Sequence, residues 1–316
     1  MGTRSAIAVL VLLSVLTVRG VDAQQVTVVR TGELRNRAGT TCLEEVGVIR
    51  FRLTDMDYVL KYVLRYPRGR SEWTGRLVVG IHGETGAVVR YGRQDQVIGT
   101  HETQLDDMIG QHALDTGHAY ASFERGVGGR DDALRILYGF QTAMAQRLAS
   151  ALERAPSQVY LVGWSTGGTL VRYAAEDTSA RVHGVVIVAG VGGNPALVTH
   201  KPLVPQIEIV ATADTAILQY VREYRDGVRS ESAGRPLRVY EVDGAKHLSS
   251  EDDDIPSFAR GKDPDRRTRY IGSVPYFAIV HTAVDLLDQW VTRGVTPPPD
   301  QVVTPPATIR TPTSRP

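Results

Sequence analysis

The chain has 316 residues, of which 42% are hydrophobic and 22% are charged, and these values are typical of a globular protein with a sizeable core. Its formal net charge of +1 provides no global field that would attract nucleic acid or an anionic membrane, so no nucleic-acid partner is expected. Cys42 is the only cysteine, which excludes an intramolecular disulfide.

The N-terminus has the pattern of a secretory signal peptide. Arg4 supplies a positive charge, residues 6–18 form an almost unbroken apolar run, and residues 21–23 fit the small-residue rule of a cleavage site. The apolar run is too short to span a bilayer as a helix. We predict a signal peptide over residues 1–23, a mature chain that begins at Gln24 and a secreted or periplasmic location, with a retained anchor as the alternative.

The first part of the mature chain is predicted to form strands. A short run of mostly β-branched residues occupies positions 26–29, and two longer segments of β-forming residues, at 47–53 and 58–66, favour leading antiparallel strands. Residues 76–81 are continuously apolar, as expected of a strand that is buried on both faces, and residues 118–123 form a weaker candidate strand. Residues 131–152 have apolar side chains at helical spacing and begin with two aspartates, which stabilise a helix N-terminus.

A Gly-Trp-Ser-Thr-Gly-Gly sequence occupies residues 163–168. The β-forming run 158–162 precedes it and the helical pattern 170–175 follows, which together predict a strand, a sharp turn and a helix. Glycines on both sides of Ser165 avoid a collision in so tight a turn, and the serine is held in a strained conformation with its hydroxyl exposed. This context predicts that Ser165 is a nucleophile, and the alternative is an ordinary serine in a glycine-rich turn.

The second half of the chain continues the alternation of strands and helices. Strands are predicted at residues 182–189, 207–211 and 237–242, and a last helix at residues 274–290. The alternation predicts an α/β fold with a mostly parallel sheet that is covered by helices on both faces. Residues 296–316 are rich in Pro and Thr and have little to bury, so we predict a disordered tail after a single folded domain at residues 24–295.

A serine nucleophile needs a base, an acid that orients the base, and N–H donors for the oxyanion. In a doubly wound sheet these groups lie at the carboxyl ends of the strands. Among the eight histidines, His247 fits best, because it follows the strand that ends at Val242 and precedes the last helix. Asp214 follows the strand 207–211 and is the candidate acid; the alternatives are a helix N-cap role for Asp214 and Asp243 as the acid.

These motifs resemble the α/β-hydrolase superfamily over roughly residues 47–294. The resemblance rests on the sequence 163–168 after a strand, on a His-Gly pair at residues 82–83 after an earlier strand, and on the order Ser165, Asp214, His247. It implies an eight-stranded, mostly parallel sheet and hydrolysis through an acyl-enzyme. Ser165 would be the nucleophile, His247 the base and Asp214 the acid, with no cofactor and no metal.

By position in the superfamily, the oxyanion-hole donors are the N–H of Thr166 and the N–H of Gly83 or Glu84. The loop reads His-Gly-Glu-Thr-Gly, which departs from the three-glycine form of one large lipase and esterase group and leaves the second donor open. We interpret His82 as a structural side chain of this loop. The sequence Ser-Thr-Gly-Gly is similar to that of tannases and feruloyl esterases, but Trp164 replaces their cysteine. Gly-Trp-Ser-x-Gly-Gly also resembles prolyl-oligopeptidase-like peptidases, whose propeller domain this chain has no room to hold.

Loops are expected to shape the substrate site. The connection after the strand 182–189 is too short for a lid domain, whereas segments 84–117 and 248–272 are long enough to roof the site. The acidic run 251–254 is interpreted as a solvated or internally paired cluster, with a calcium site as the alternative. The glycine-rich segment 125–130 lacks a complete phosphate-binding motif and is predicted to be a flexible loop at the site.

The sequence therefore predicts an exported serine hydrolase that cleaves carboxylic esters, acting on a small-molecule or polymer substrate. The ester preference is inferred from the missing accessory domain and from superfamily frequencies. A serine peptidase or amidase of the same fold is one alternative. A non-catalytic binding protein of this fold is the other, and the complete Ser, Asp and His set argues against it.

Overall fold

The structure is a computed structural model, which describes residues 22–53, 56–83, 104–123, 130–191, 198–231, 234–249, 271–275, 277–305 and 309. The signal peptide predicted at residues 1–23 lies almost entirely outside the described residues, and so does the acidic run 251–254. The glycine-rich segment 125–130 lies outside them except for Arg130.

The described chain forms twelve β-strands and five α-helices. The strands are β1 (Asp22–Arg35), β2 (Thr41–Leu53), β3 (Met56–Pro67), β4 (Arg76–Ile81), β5 (Ala119–Phe123), β6 (Gln158–Trp164), β7 (Gly184–Val188), β8 (Gln206–Ala211), β9 (Leu237–Val242), β10 (Leu248–Ser249), β11 (Ile271–Gly272) and β12 (Gln301–Val303). The helices are α1 (Gln104–Asp115), α2 (Arg130–Leu152), α3 (Thr166–Ala175), α4 (Thr215–Glu231) and α5 (Phe277–Arg293). None of the described helices is both long and apolar enough to cross a membrane.

Ten of the described strands form one sheet in the order β1-β2-β3-β5-β4-β6-β7-β8-β9-β12. The pairs β1–β2, β2–β3 and β3–β5 are antiparallel, and the remaining pairs from β5 to β12 are parallel. This topology confirms the mostly parallel α/β sheet and its antiparallel leading strands. The sheet is wider than the eight strands that were expected, because β1 and β12 each add a strand at one edge.

Helices cover both faces of the sheet, as predicted. In β4 the side chains alternate: Leu77, Val79 and Ile81 pack in one core cluster with α2 and α3, whereas Val78 packs in a second cluster with α1 and α5. Helix α4 covers the β8–β9 end of the sheet through a third cluster that includes Val210. Burial on both faces explains why the sequences of the central strands are continuous apolar runs.

The described part of the C-terminal segment, residues 296–305 and 309, makes defined contacts where a disordered tail was expected over residues 296–316. Strand β12 pairs in parallel with β9, with Val303 opposite Val242, and the Tyr240 hydroxyl donates a hydrogen bond to the Pro298 carbonyl at 2.9 Å. Val303 and Ile309 are both buried. The proline content of the tail did not predict a strand. The pairing forms because β9 has an edge without a partner strand, and a short segment can pair with that edge through main-chain hydrogen bonds despite the neighbouring prolines.

Candidate active site

Ser165 lies in the one-residue turn between β6 and α3, with φ of 54° and ψ of −121°. A positive φ is rare for a residue with a side chain. Main-chain hydrogen bonds hold it in place: the Ser165 N–H donates to Val188 O at 2.9 Å, and Ser165 O accepts from the N–H groups of Val191 at 3.2 Å and Thr169 at 3.3 Å. The serine is therefore presented at the carboxyl edge of the sheet in a conformation that its neighbours impose.

The glycines beside Ser165 are required by close main-chain contacts. A Cβ on Gly163 would lie 2.6 Å from the carbonyl oxygen of Gly167, and a Cβ on Gly167 would collide with the carbonyl oxygens of Ile81 and His82. Real Cβ atoms do not approach so closely, so any larger residue would push the turn away from β4. Both positions behave as the Gly-x-Ser-x-Gly pattern predicts.

The structure brings Ser165, His247 and Asp214 together. His247 Nε2 lies 3.0 Å from Ser165 Oγ, and His247 Nδ1 lies 2.8 Å from Asp214 Oδ2. With the Nδ1 proton donated to the carboxylate, Nε2 is the acceptor that faces the serine hydroxyl. His247 is only 6% exposed, whereas Ser165 is half-buried. The arrangement has the two contacts through which a serine hydroxyl can be deprotonated as it attacks a carbonyl carbon.

Two loops at the ends of β8 and β9 position the acid and the base relative to each other. The Ala213 N–H donates to Ala245 O at 2.9 Å, and the Thr212 N–H donates to Val242 O at 3.0 Å. The Gly244 N–H donates to Thr212 Oγ1 at 2.8 Å. Because these loops are joined by three hydrogen bonds, the carboxylate and the imidazole are held by main chain as well as by their own contact.

Asp214 has the position of a helix N-cap, but its side chain contacts the imidazole. Its carbonyl oxygen accepts the Leu218 N–H at 2.9 Å, which places it directly before the first turn of α4, while its side chain faces His247. Asp243, the second candidate acid, is exposed, and its side chain forms no hydrogen bond or ion pair within the described part of the chain. Its N–H donates to Val303 O at 2.9 Å instead.

Two main-chain segments border Ser165 at the positions predicted for oxyanion donors. Thr166 is the first residue of α3, so its N–H has no acceptor within the helix. Gly83 lies against the serine: a Cβ on Gly83 would be 2.9 Å from Ser165 Cβ and 3.6 Å from Ser165 Oγ. Glu84, the other candidate for the second donor, lies outside the described residues.

The other described histidines have structural contacts. His82 is buried after β4, as expected of a structural loop residue. Burial lowers the pKa of His118 to about 4, and burial together with the neighbouring His112 lowers the pKa of His281 to about 4. His281 also stacks on His112 with ring centroids 4.4 Å apart and lies 3.1 Å through Nε2 from Met108 O. The His118 and His281 side chains are therefore uncharged at neutral pH.

The connection after β7 supports the turn at Ser165, and the sequence analysis did not anticipate this contact. Ala189 has a φ of 46°. Val191 makes two hydrogen bonds to the turn: its N–H donates to Ser165 O, and its carbonyl oxygen accepts from Thr169 Oγ1 at 2.5 Å. A Cβ on Gly168 would lie 2.9 Å from Gly190 Cα. The glycines at positions 168 and 190 permit this contact, but they are distant in the sequence and no local pattern predicts that they meet.

Among the described residues, no group of three or more His, Cys, Asp or Glu side chains could hold a metal ion.

A family model described as an alpha/beta hydrolase domain matches residues 131–309, which is more than half of the chain. The chain belongs to the alpha/beta hydrolase family. The matched region of the hydrolase contains Ser165, Asp214 and His247 as well as β12, so the C-terminal strand is part of the family domain.

Solved structures with a similar arrangement include other hydrolases. A dienelactone hydrolase from Anabaena variabilis is 16% identical, with 78% of this chain and 98% of that chain covered and a TM-score of 0.43. MGS-M1, an alpha/beta hydrolase enzyme from a Medee basin deep-sea metagenome library, is 12% identical, with 78% and 97% covered and a TM-score of 0.47. An esterase from Pyrococcus furiosus is 10% identical, with 67% and 80% covered and a TM-score of 0.41. No curated protein matches the sequence significantly.

Proposed function

We propose that this member of the alpha/beta hydrolase family is an exported serine hydrolase that cleaves carboxylic esters through an acyl-enzyme. The observation that carries the proposal is the pair of contacts made by His247, 3.0 Å to Ser165 Oγ and 2.8 Å to Asp214 Oδ2. A buried imidazole between a strained serine and a carboxylate is the arrangement that general-base activation requires.

In the proposed mechanism, Ser165 Oγ attacks the ester carbonyl carbon while His247 Nε2 takes the hydroxyl proton. The carbonyl oxygen becomes an oxyanion that the Thr166 N–H and a donor from the segment beginning at Gly83 would stabilise. Collapse of the tetrahedral intermediate breaks the bond to the alkoxy group, which leaves as an alcohol with the proton from His247. Asp214 Oδ2 accepts the hydrogen bond from Nδ1 and stabilises the imidazolium.

A water molecule then completes the reaction. His247 removes a proton from the water as its oxygen attacks the acyl-enzyme carbonyl carbon, and a second tetrahedral intermediate forms in the same oxyanion site. When this intermediate collapses, Ser165 Oγ leaves and regains its proton from His247. The products are a carboxylic acid and the free enzyme, and no other group is consumed.

Covalent labelling tests the mechanism. We expect a fluorophosphonate to label the parent chain and not Ser165→Ala, because the reagent phosphonylates an activated serine. Ser230→Ala, at an exposed serine near the end of α4, is the matched control and should be labelled like the parent. An unlabelled parent would refute the mechanism and favour a non-catalytic binding protein. A Ser165→Ala variant labelled as strongly as the parent would also refute it, because the activated serine would then lie elsewhere.

The preference for esters over amides is tested separately. Parent protein should hydrolyse p-nitrophenyl esters of several acyl lengths faster than aminoacyl anilides. If the anilides are turned over far faster than every ester, the protein is instead a peptidase or amidase of the same mechanism.

Export is supported by the sequence pattern of residues 1–23. Expression of the whole chain should yield a secreted or periplasmic protein whose N-terminal residue is Gln24. Recovery of the uncleaved chain from the cytoplasm would contradict this part of the proposal.

A further inference from the structure

A basic cleft lies at the opposite end of the sheet from the candidate active site. It has a volume of about 280 Å³ and lies between the C-terminal part of α4, the start of β9 and the segment before β12. Four arginines line it, Arg225, Arg229, Arg235 and Arg238, together with one carboxylate, Asp300. We call these five residues and the space between them the arginine cleft.

The arginine cleft is separated from the triad by the length of a strand. Its residues adjoin Leu237, where β9 begins, whereas His247 follows Val242, where β9 ends. Five residue steps along a strand span roughly 17 Å. A ligand in the cleft would therefore leave Ser165 accessible to substrate.

Positive charge exceeds negative charge in the arginine cleft. Asp300 is occupied on both oxygens, by Arg229 Nη2 at 2.6 Å and by the Val239 N–H at 3.0 Å. Arg225 has its own carboxylate contact outside the lining, to Asp226 at 3.0 Å. Within the described residues, no carboxylate lies within ion-pair distance of Arg235 or Arg238.

The two unpaired arginines differ in how firmly they are placed. Arg238 is half-buried, stacks on Trp290 at 5.6 Å and donates to Pro297 O at 3.2 Å and to Leu237 O at 2.9 Å. These contacts use Nε and Nη1 and leave Nη2 as the donor for a ligand. Arg235 is exposed, and among the described residues nothing lies within 4 Å of a Cβ built on the adjacent Gly234.

We propose that the arginine cleft binds a small molecule through a phosphate group. Arginine presents planar N–H donors that suit phosphate oxygens, and two unpaired guanidinium groups match the charge of about −1.5 to −2 that a phosphate monoester carries at pH 7. A monocarboxylate would neutralise only one of them. The cleft has room for a phosphate and a few attached carbon atoms, with Val228 and Leu237 as apolar contacts.

Binding of inorganic phosphate and of glycerol 3-phosphate is measured by calorimetry at constant ionic strength. We expect saturable binding to the parent and roughly tenfold weaker binding to Arg235→Gln, because one charged hydrogen-bond donor is lost. Arg35→Gln, at an exposed arginine on β1 at the far edge of the sheet, should bind like the parent. Ester hydrolysis should be equal in all three proteins, since neither arginine belongs to the candidate active site.

A second variant and a second probe sharpen the test. The double variant Arg235→Gln/Arg238→Gln should abolish phosphate binding. If the loss of the contact between Arg238 and Trp290 prevents this variant from folding, the affinity of Arg235→Gln alone tests the proposal. Vesicles of phosphatidylglycerol distinguish a lipid headgroup from a soluble phosphate: vesicle binding that depends on Arg235, without soluble phosphate binding, assigns the phosphate to a lipid. The proposal is overturned if neither probe binds saturably, if all variants bind equally, or if acetate binds as tightly as phosphate.

Discussion

Ser165 has a backbone conformation that would cost an isolated residue about 1–3 kcal/mol, and the surrounding structure maintains it. Its N–H and carbonyl oxygen make hydrogen bonds to β7, α3 and the connection after β7. Because three separate segments fix one residue, the hydroxyl direction does not depend on side-chain packing alone. The strain at this position supports a functional role for the serine.

Asp214 is predicted to be the acid that orients His247. Asp214→Asn should reduce kcat by a factor on the order of 10⁴, because the amide carries no charge to stabilise the imidazolium and its N–H can donate to Nδ1, which favours the wrong tautomer of His247. Asp243→Asn is the matched control and should hydrolyse a p-nitrophenyl ester at the parent rate, since Asp243 is exposed. Equal losses in the two variants, or a loss only in Asp243→Asn, would assign the acid differently.

Gly83 is predicted to be important for activity because it lies close to Ser165. In Gly83→Ala the new Cβ would lie 2.9 Å from Ser165 Cβ and 3.1 Å from Trp164 O, so the loop must move away. We expect kcat/KM to fall by a factor on the order of 10²–10³, as when one oxyanion donor is displaced, with little change in thermal stability. Gly32→Ala is the control, because its Cβ would meet nothing within 4 Å and activity should be unchanged. Full activity in Gly83→Ala would remove this segment from the oxyanion site.

At the scale of elements, a buried ion pair attaches α3, the helix that follows Ser165, to the sheet. Arg172 on α3 is fully buried and makes two contacts to Glu208 on β8, at 2.9 and 2.8 Å. Its guanidinium also lies 5.0 Å from the ring centroid of Tyr220 and 5.1 Å from that of Tyr224, both on α4. One side chain thus connects the helix that follows Ser165 to the strand that leads to Asp214.

Removal of one partner of this pair should lower the free energy of unfolding more than removal of both charges. Arg172→Met leaves Glu208 buried and unpaired, and we expect a loss of about 3–5 kcal/mol in the free energy of unfolding. Arg172→Met/Glu208→Gln should recover part of this loss, because no buried charge remains. Urea unfolding of the three proteins measures both effects. A double variant no more stable than the single variant would show that packing rather than charge dominates here.

At the scale of the whole molecule, the C-terminal segment completes the sheet and one wall of the arginine cleft. Asp300 bonds Arg229 on α4 and the N–H of Val239 on β9, while β12 pairs with β9. The segment therefore joins a helix and a strand that are distant in sequence from it. We expect it to contribute to the stability of the domain.

Truncation after Gly294 should destabilise the protein. The free energy of unfolding should fall by roughly 3–6 kcal/mol, because Val303 and Ile309 are buried and each such side chain contributes about 1.5–3 kcal/mol. Truncation after Ile309 retains β12 and should leave the urea midpoint unchanged. If both truncated proteins unfold at the parent midpoint, β12 does not contribute to stability.

Local sequence patterns were sufficient to predict the central strands, the helix 131–152 and the nucleophile turn. Each of these depends on residues that are neighbours along the chain: apolar runs for buried strands, helical spacing for α2, and small residues around Ser165 for the turn. The choice of Asp214 and His247 also depended on local context, since each follows a strand whose carboxyl end lies at one edge of the sheet. Their catalytic roles stay predictions.

Long-range contacts decided the rest. The pairing of β12 with β9, the buried ion pair between Arg172 and Glu208, and the arginine cleft each join segments far apart in the sequence. No local pattern indicates them, because each of these features depends on which distant segments of the chain come together in the folded protein. The sequence by itself determined the elements and the serine turn of this protein, whereas only the tertiary structure decided the 3.0 Å contact of His247 with Ser165, the supports of that turn and the width of the sheet.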